Sequence, residues 1–265
     1  MTKKKFRSRK KKNNVGHRSS LLKTLAFFFA SMLLVSAIVV LYYHEQPKPE
    51  IPVFSPPSSS LAEEAASSLP DEAAEDLRDE WYMALVNSGS PLPVDYKITL
   101  ASIGDSGFFF DARAIYYLLR MLEDCEAAGF SPLVAGAYRS LEDQQLVFEE
   151  RVRQLRSQGV TNAEADLRAH HENMAPGQNE HNLGLAVDIV SAYGQGMNDS
   201  VLKEPEYSWL VEKAPEYGFI QRYTVDKEEI TGVAFEPWHF RFVGIEQAQL
   251  IAANGLSLEE YLELL

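Results

Sequence analysis

EHNLGLAVDIV, residues 180–190, carries His181 and Asp188 on either side of a glycine and then runs on as an apolar segment. GLAVDIV (184–190) reads as a strand whose successive side chains face two ways, and APGQNE (175–180) before it reads as a turn-rich loop. Gly184 lets the chain turn tightly between the histidine and the aspartate. A second cluster, Glu236-Pro237-Trp238-His239-Phe240-Arg241, leads into another strand, WHFRFV (238–243). Zinc accepts imidazole nitrogen and carboxylate oxygen, and a catalytic zinc takes three protein ligands plus a water. His181, Asp188 and His239 could supply those three ligands. Glu236, just before His239 and braced by Pro237, is a candidate general base for the water. Taken singly, each of these residues also has a plainer structural reading, as a packed histidine or an ordinary acid.

The flanking sequence supplies the rest of a domain. TLASIG (99–104) reads as a short strand. Asp111 is placed to cap a helix whose apolar Ile115, Leu118, Leu119 and Leu122 share one face, with Gly129 as its stop. Cys125 continues that stripe and reads as a buried, inert thiol; as a lone cysteine it excludes an intrachain disulfide framework and cysteine-based zinc or iron–sulfur sites. PLVAGAY (132–138) is a strand. Ser140 with Asp143 opens a helix to about Gln158, and Thr161 with Glu164 opens another reaching His170. A helix around Trp209, a strand at GFIQRY (218–223), a turn near Thr231-Gly232 and two closing helices follow, the last capped by Ser257 with Glu260. Helices before and between strands, without regular alternation, predict an α+β domain: an antiparallel sheet flanked by helices.

The formal charge of −13 is unevenly spread. The first 24 residues hold ten basic side chains and no acid, so the remainder carries all 38 acidic residues against 15 basic ones. Nucleic acid is not expected as a partner of that acidic body, because phosphate contacts need Lys and Arg. The uncharged run TLAFFFASMLLVSAIVVLYYH (24–44) would span about 30 Å as a helix, the thickness of a bilayer core. The expected organisation is a basic cytoplasmic tail (1–23), a transmembrane helix (24–44), a disordered Pro/Ser/Ala/Glu-rich stalk (45–76) and an extracytoplasmic domain (77–265) at the cell membrane. A cleaved signal peptide is the nearest rival reading of the apolar run. Oligomeric state has no signal in the sequence.

YRSLEDQ (138–144), EHNLGLAVDIV (180–190) and EPWHFRFVG (236–244) resemble the three signatures of VanY-type D-alanyl-D-alanine carboxypeptidases. These zinc peptidases are grouped with the VanX dipeptidases and share a fold with the Hedgehog signalling domain. The resemblance runs from about Trp81 to Leu250 in order and spacing. It implies a Hedgehog/DD-peptidase-like fold and removal of the C-terminal D-alanine from peptidoglycan stem peptides. It makes His181, Asp188 and His239 the ligands of one Zn2+ and Glu236 the catalytic base. Arg139 matches the family arginine, suited to hold a substrate carboxylate or an oxyanion. Tyr138, Ser140 and Gln144 fall in the substrate-binding element, and Trp238 forms an apolar wall beside the metal. The family reads Ser-x-His where this chain has Asn179-Glu180-His181, so Asn179 stands where a substrate-binding serine is expected. That departure leaves D,D-cleavage, L,D-cleavage and cleavage of an internal wall-peptide bond open. An inactive zinc-bound wall-binding domain is a further alternative, which Glu236 and Arg139 count against. Glu180 is expected to point away from the metal, and His170 and His171 to form a solvated helix end rather than a second metal site.

Overall fold

The structure, a computed structural model, describes residues 76–265 except Val94 and Gln195. The expected tail, transmembrane helix and stalk up to residue 75 lie outside the described residues. Among the described residues no helix is long and apolar enough to cross a membrane. Strands β1 (Leu100–Ser102) and β2 (Phe109–Asp111) form an antiparallel pair. Four further strands build the main sheet: β3 (Pro132–Gly136), β4 (Ala186–Ser191), β5 (Phe219–Tyr223) and β6 (Glu236–Phe242). Their order is β3-β4-β6-β5, and every pairing is antiparallel. Helices α1 (Ile115–Ala127), α2 (Leu141–Ser157) and α3 (Asn162–Asn173) come early. A single helical turn, α4 (Glu180–Leu183), precedes β4. α5 (Pro205–Lys213), α6 (Glu228–Thr231), α7 (Ile245–Asn254) and α8 (Leu258–Leu264) complete the domain. The α+β class with an antiparallel sheet and flanking helices is as the sequence pattern indicates.

The sheet has two unlike faces. Val187 and Ile189 of β4, Phe219 of β5 and Phe240 and Phe242 of β6 pack with Leu118 and Met121 of α1 in one apolar core. Because strand side chains alternate, Asp188 projects from the opposite face, as does its cross-strand partner His239. Arg222 of β5 and Arg241 of β6 leave their strands toward that same face by the same parity, and both are fully buried. All six residues of β4 are buried, so this second face is covered as well. A second apolar cluster joins Ile220 to Ala248 and Ile251 of α7 and to Leu258 and Tyr261 of α8.

Several local expectations need correction. Asp111 does not cap α1, which starts after Ala114 with no side-chain cap. The Asp111 carboxylate instead accepts from the backbone N–H and guanidinium of Arg113, the nearest cation, and it lies at the end of β2, a strand too short to leave a periodic signal. The turn-rich loop ends at Asn179, and residues 180–183 wind into a helical turn, because Asn179 caps them from the front and Gly184 ends them in the left-handed region at φ 81°. The caps at Ser140, Thr161 and Ser257 do form, each side chain accepting the expected backbone N–H. Cys125 is fully buried, and burial pushes its thiol up to about 12.

Candidate metal centre

Asp188 stands where three strands meet: its cross-strand partners are His239 on β6 and Gly136 on β3. Its carboxylate divides between two imidazoles. Oδ2 lies 3.2 Å from His181 Nε2, and Oδ1 lies 3.2 Å from His239 Nδ1. The two rings are 4.9 Å apart and nearly perpendicular. All three residues are at most 3% exposed. Glycine at 136 makes room for this arrangement, since a Cβ there would stand 2.3 Å from Asp188 Oδ2.

The far nitrogen of each histidine is engaged elsewhere. His181 Nδ1 is 2.8 Å from the carbonyl of Ala137, to which it can donate, which leaves Nε2 as a lone pair facing the site. His239 Nε2 faces Glu180 Oε2 at 3.4 Å, which leaves Nδ1 facing inward. Tyr223 packs its ring 4.8 Å from the His239 ring. The backbone of Arg139 is stitched to the same helical turn: its N–H donates to His181 O, and its carbonyl accepts from the side-chain amide of Asn182.

Charge at the centre is strongly biased. Burial pushes the Asp188 carboxyl up, but the neighbouring His181 and His239 outweigh it and hold it well below the usual carboxylate range. Burial lowers His181. It also pushes His239 down, yet Asp188, Glu180 and Glu236 overcome this and raise that imidazole to about 9. Glu236 is 3.4 Å from His239 Nδ1, and burial lifts its carboxyl to about 7 against the pull of His239 and Arg139.

A divalent cation fits these residues. Asp188 Oδ1 and His239 Nδ1 are both buried, and although close to one another neither has a hydrogen-bond partner. An orphaned pair of this kind costs free energy unless something between them supplies positive charge. One donor atom each from His181, Asp188 and His239 lies within 4.8 Å of the others. Two imidazole nitrogens and a carboxylate are a zinc-type donor set. Among the described residues this is the one such cluster. His170 and His171 sit exposed at the end of α3, the former packed edge-on against Phe148.

The remaining sequence-predicted residues fall around this centre in different ways. Arg139 is half-buried and donates from Nη1 to Gln144 Oε1 at 2.8 Å. Gln144, expected to line the pocket, is fully buried behind it, its amide donating to the carbonyls of Asn173 and Met174. Met174 is held at φ 57°, an uncommon backbone state for a residue with a Cβ, so these carbonyls are presented under strain. Asn179 is also occupied: Oδ1 accepts the backbone N–H of His181 and Nδ2 donates to Asn173 O. Ser140 spends its hydroxyl on Asp143, while Tyr138 and Trp238 are half-buried, Trp238 next to His239 on β6.

Sequence reasoning did not find the partners of Glu180. Its side chain reaches the far nitrogen of His239, away from the metal-facing Nδ1, and accepts from Arg222 Nε at 2.9 Å and Arg241 Nη1 at 2.8 Å on Oε1. Arg222 in turn forks onto both oxygens of Glu259 in α8. The available signal was an arginine inside each of two apolar strand segments, since a buried guanidinium requires a buried anion.

Comparison with known proteins agrees with this geometry. A model of the VanY family, described as D-alanyl-D-alanine carboxypeptidase, matches residues 108–245. A D-alanyl-D-alanine carboxypeptidase of Enterococcus faecalis is 42% identical over 183 residues, covering 69% of this chain and 66% of that protein. The chain therefore spans slightly less than two thirds of that relative's length. A crystallised vancomycin resistance D,D-pentapeptidase VanY in complex with Zn(II) is 42% identical, with TM-score 0.63 over 69% of this chain and 99% of the other. The LdcB LD-carboxypeptidase is 32% identical, with TM-score 0.59 over 68% and 84%.

Gly136→Ala should force the Asp188 carboxylate off its position while leaving the sheet's apolar face intact. Zinc affinity should fall by about tenfold or more, on the scale of losing an outer partner of a ligand. A competition titration with circular dichroism alongside checks this; unchanged affinity would mean that β3 does not set the site.

Proposed function

The chain belongs to the VanY family of D-alanyl-D-alanine carboxypeptidases, and on that premise we propose that it is a zinc-dependent carboxypeptidase that removes the C-terminal D-alanine from peptidoglycan stem peptides. The observation that carries this reading is the buried His181–Asp188–His239 cluster with Glu236 Oε2 3.4 Å from His239 Nδ1. His181, Asp188 and His239 would hold the zinc, which when bound supplies a Lewis acid and lowers the pKa of a coordinated water. Glu236, 3.4 Å from His239 Nδ1, is placed to take a proton from the attacking water. It then returns that proton to the departing amine nitrogen of the terminal D-alanine, so the carboxylate ends as it began. Arg139, anchored through Nη1 by Gln144, offers its other guanidinium N–H groups to the substrate carboxylate or to the oxygen on which charge develops.

A second reading, L,D-carboxypeptidase action on tetrapeptide stems, is favoured by two observations. LdcB has a similar structure, and Asn179 occupies the place of the family serine with its amide turned to His181 and Asn173. The location we propose is the outer face of the cytoplasmic membrane, with residues 24–44 as a single span, because an uncharged run of bilayer length follows a basic segment.

Three outcomes follow. Glu236→Ala should keep zinc bound and lower turnover by about 10²-fold or more, whereas Asp188→Ala should lose zinc. Metal analysis and mass spectrometry of muropeptide digests read this directly; equal metal loss in both would make Glu236 a ligand, and no product from the zinc-loaded wild type would favour a binding domain. Arg139→Lys should retain zinc and fold yet cost about 10²-fold in turnover, because lysine cannot keep both the Gln144 contact and a planar fork toward substrate. Protease added to intact protoplasts should digest the domain. Full protection would overturn the topology, and a mature N-terminus near residue 45 would indicate a cleaved signal peptide instead.

A further inference from the structure

Glu180 is fully buried on the helical turn that also carries His181, and its carboxylate is turned to the opposite histidine. We propose that Glu180 is a positioning residue: it holds the His239 ring through Nε2 in the orientation and tautomer that leave Nδ1 as the lone pair facing the metal. The inference rests on the metal-site reading above. A neutral imidazole with its proton on Nε2 has its lone pair on Nδ1, and the partner of the far nitrogen decides between the two forms. Among the described contacts, the acceptor facing His239 Nε2 is Glu180 Oε2 at 3.4 Å. That is long for a hydrogen bond, but both side chains are sealed from water, where a charge acts undiluted.

Glu180 cannot swing away from this task. Its Oε1 is held by Arg222 and Arg241 together. Arg241 is anchored in turn by the backbone carbonyls of Tyr82 and Ala84, and Arg222 by both oxygens of Glu259. The carboxylate therefore has one oxygen clamped and the other directed at the imidazole. His181 is restrained in a parallel way, its far nitrogen resting on Ala137 O. A carboxylate present only to neutralise two arginines would make the same ion pairs without directing Oε2 at His239.

The test uses the purified full chain as wild type, Glu180→Gln and Glu259→Gln. Zinc affinity is measured against a chromophoric chelator, melting temperature on the metal-free protein, and ligand geometry from the visible spectrum of the cobalt(II)-loaded forms. Both variants strip charge from the arginine cluster and should melt lower than wild type. Only Glu180→Gln should weaken zinc, by about 10–100-fold, with Glu259→Gln within about twofold of wild type. Its cobalt spectrum should shift while that of Glu259→Gln superimposes on wild type. Wild-type zinc affinity and spectrum in Glu180→Gln, or zinc losses in the two variants that merely follow melting temperature, would overturn the proposal. Should Glu180→Gln not fold, Glu180→Asp keeps charge for the arginines but withdraws the carboxylate from Nε2. Wild-type zinc affinity in that variant would equally overturn it. A wild-type chain that takes up no zinc would sink the metal-site reading itself, and this inference with it.

Discussion

An ionised carboxylate removed from water must be matched by positive charge close at hand, and Asp188 sets this demand at the junction of β3, β4 and β6. The imidazoles of His181 and His239 close on its two oxygens from opposite sides. The surrounding geometry follows from that demand. β3 must present a glycine to let the carboxylate lie against it. The helical turn before β4 must end in a left-handed residue so that His181 folds back over the strand. β6 must pair in the register that sets His239 directly across from Asp188.

The same strands serve two solvents at once. One face of the sheet is apolar and packs on α1; the other buries Asp188, His239, Arg222, Arg241 and Glu180. Ionic groups without exposure gain little net stability as pairs, yet losing one partner costs about 3–5 kcal/mol because the survivor stays charged and buried. Such a cluster specifies arrangement more than it adds stability. Through Glu259 it also extends to α8, so the C-terminal helix, packed by its own apolar cluster, contributes to a chain of contacts that ends on a metal-type ligand.

Arg139 is prepared in a comparable way. Its backbone is tied to α4, and its guanidinium is set by Gln144, which is itself held by the carbonyls of Asn173 and Met174. Asn179 draws on that same carbonyl of Asn173. The strained backbone at Met174 therefore lies under both the proposed substrate-binding arginine and the residue that replaces the family serine. Gln144 and Asn179, which the resemblance makes candidate substrate contacts, have their polar atoms engaged within the protein.

Much of this was legible in residue order alone. The periodicity around Leu118 and the caps at Ser140, Thr161 and Ser257 are local signals, read over a few residues, and they mark helices where helices form. The resemblance singled out His181, Asp188, His239, Glu236 and Arg139, because the side chains that bind metal and move protons belong to a small chemical set. Other features belong to the tertiary structure. Asp111 pairs with Arg113 instead of capping α1, and β2 exists because β1 lies beside it. Gly136 matters because Asp188, distant in sequence, lies over it. Glu180 turns toward His239 because residues 180–183 wind into a helical turn, which rotates adjacent side chains apart and sends this one to arginines contributed by two other strands. Sequence determined which groups were available and the order in which the chain presents them; the direction of each side chain depends on contacts between segments far apart along the chain, and only the folded sheet brings those segments together.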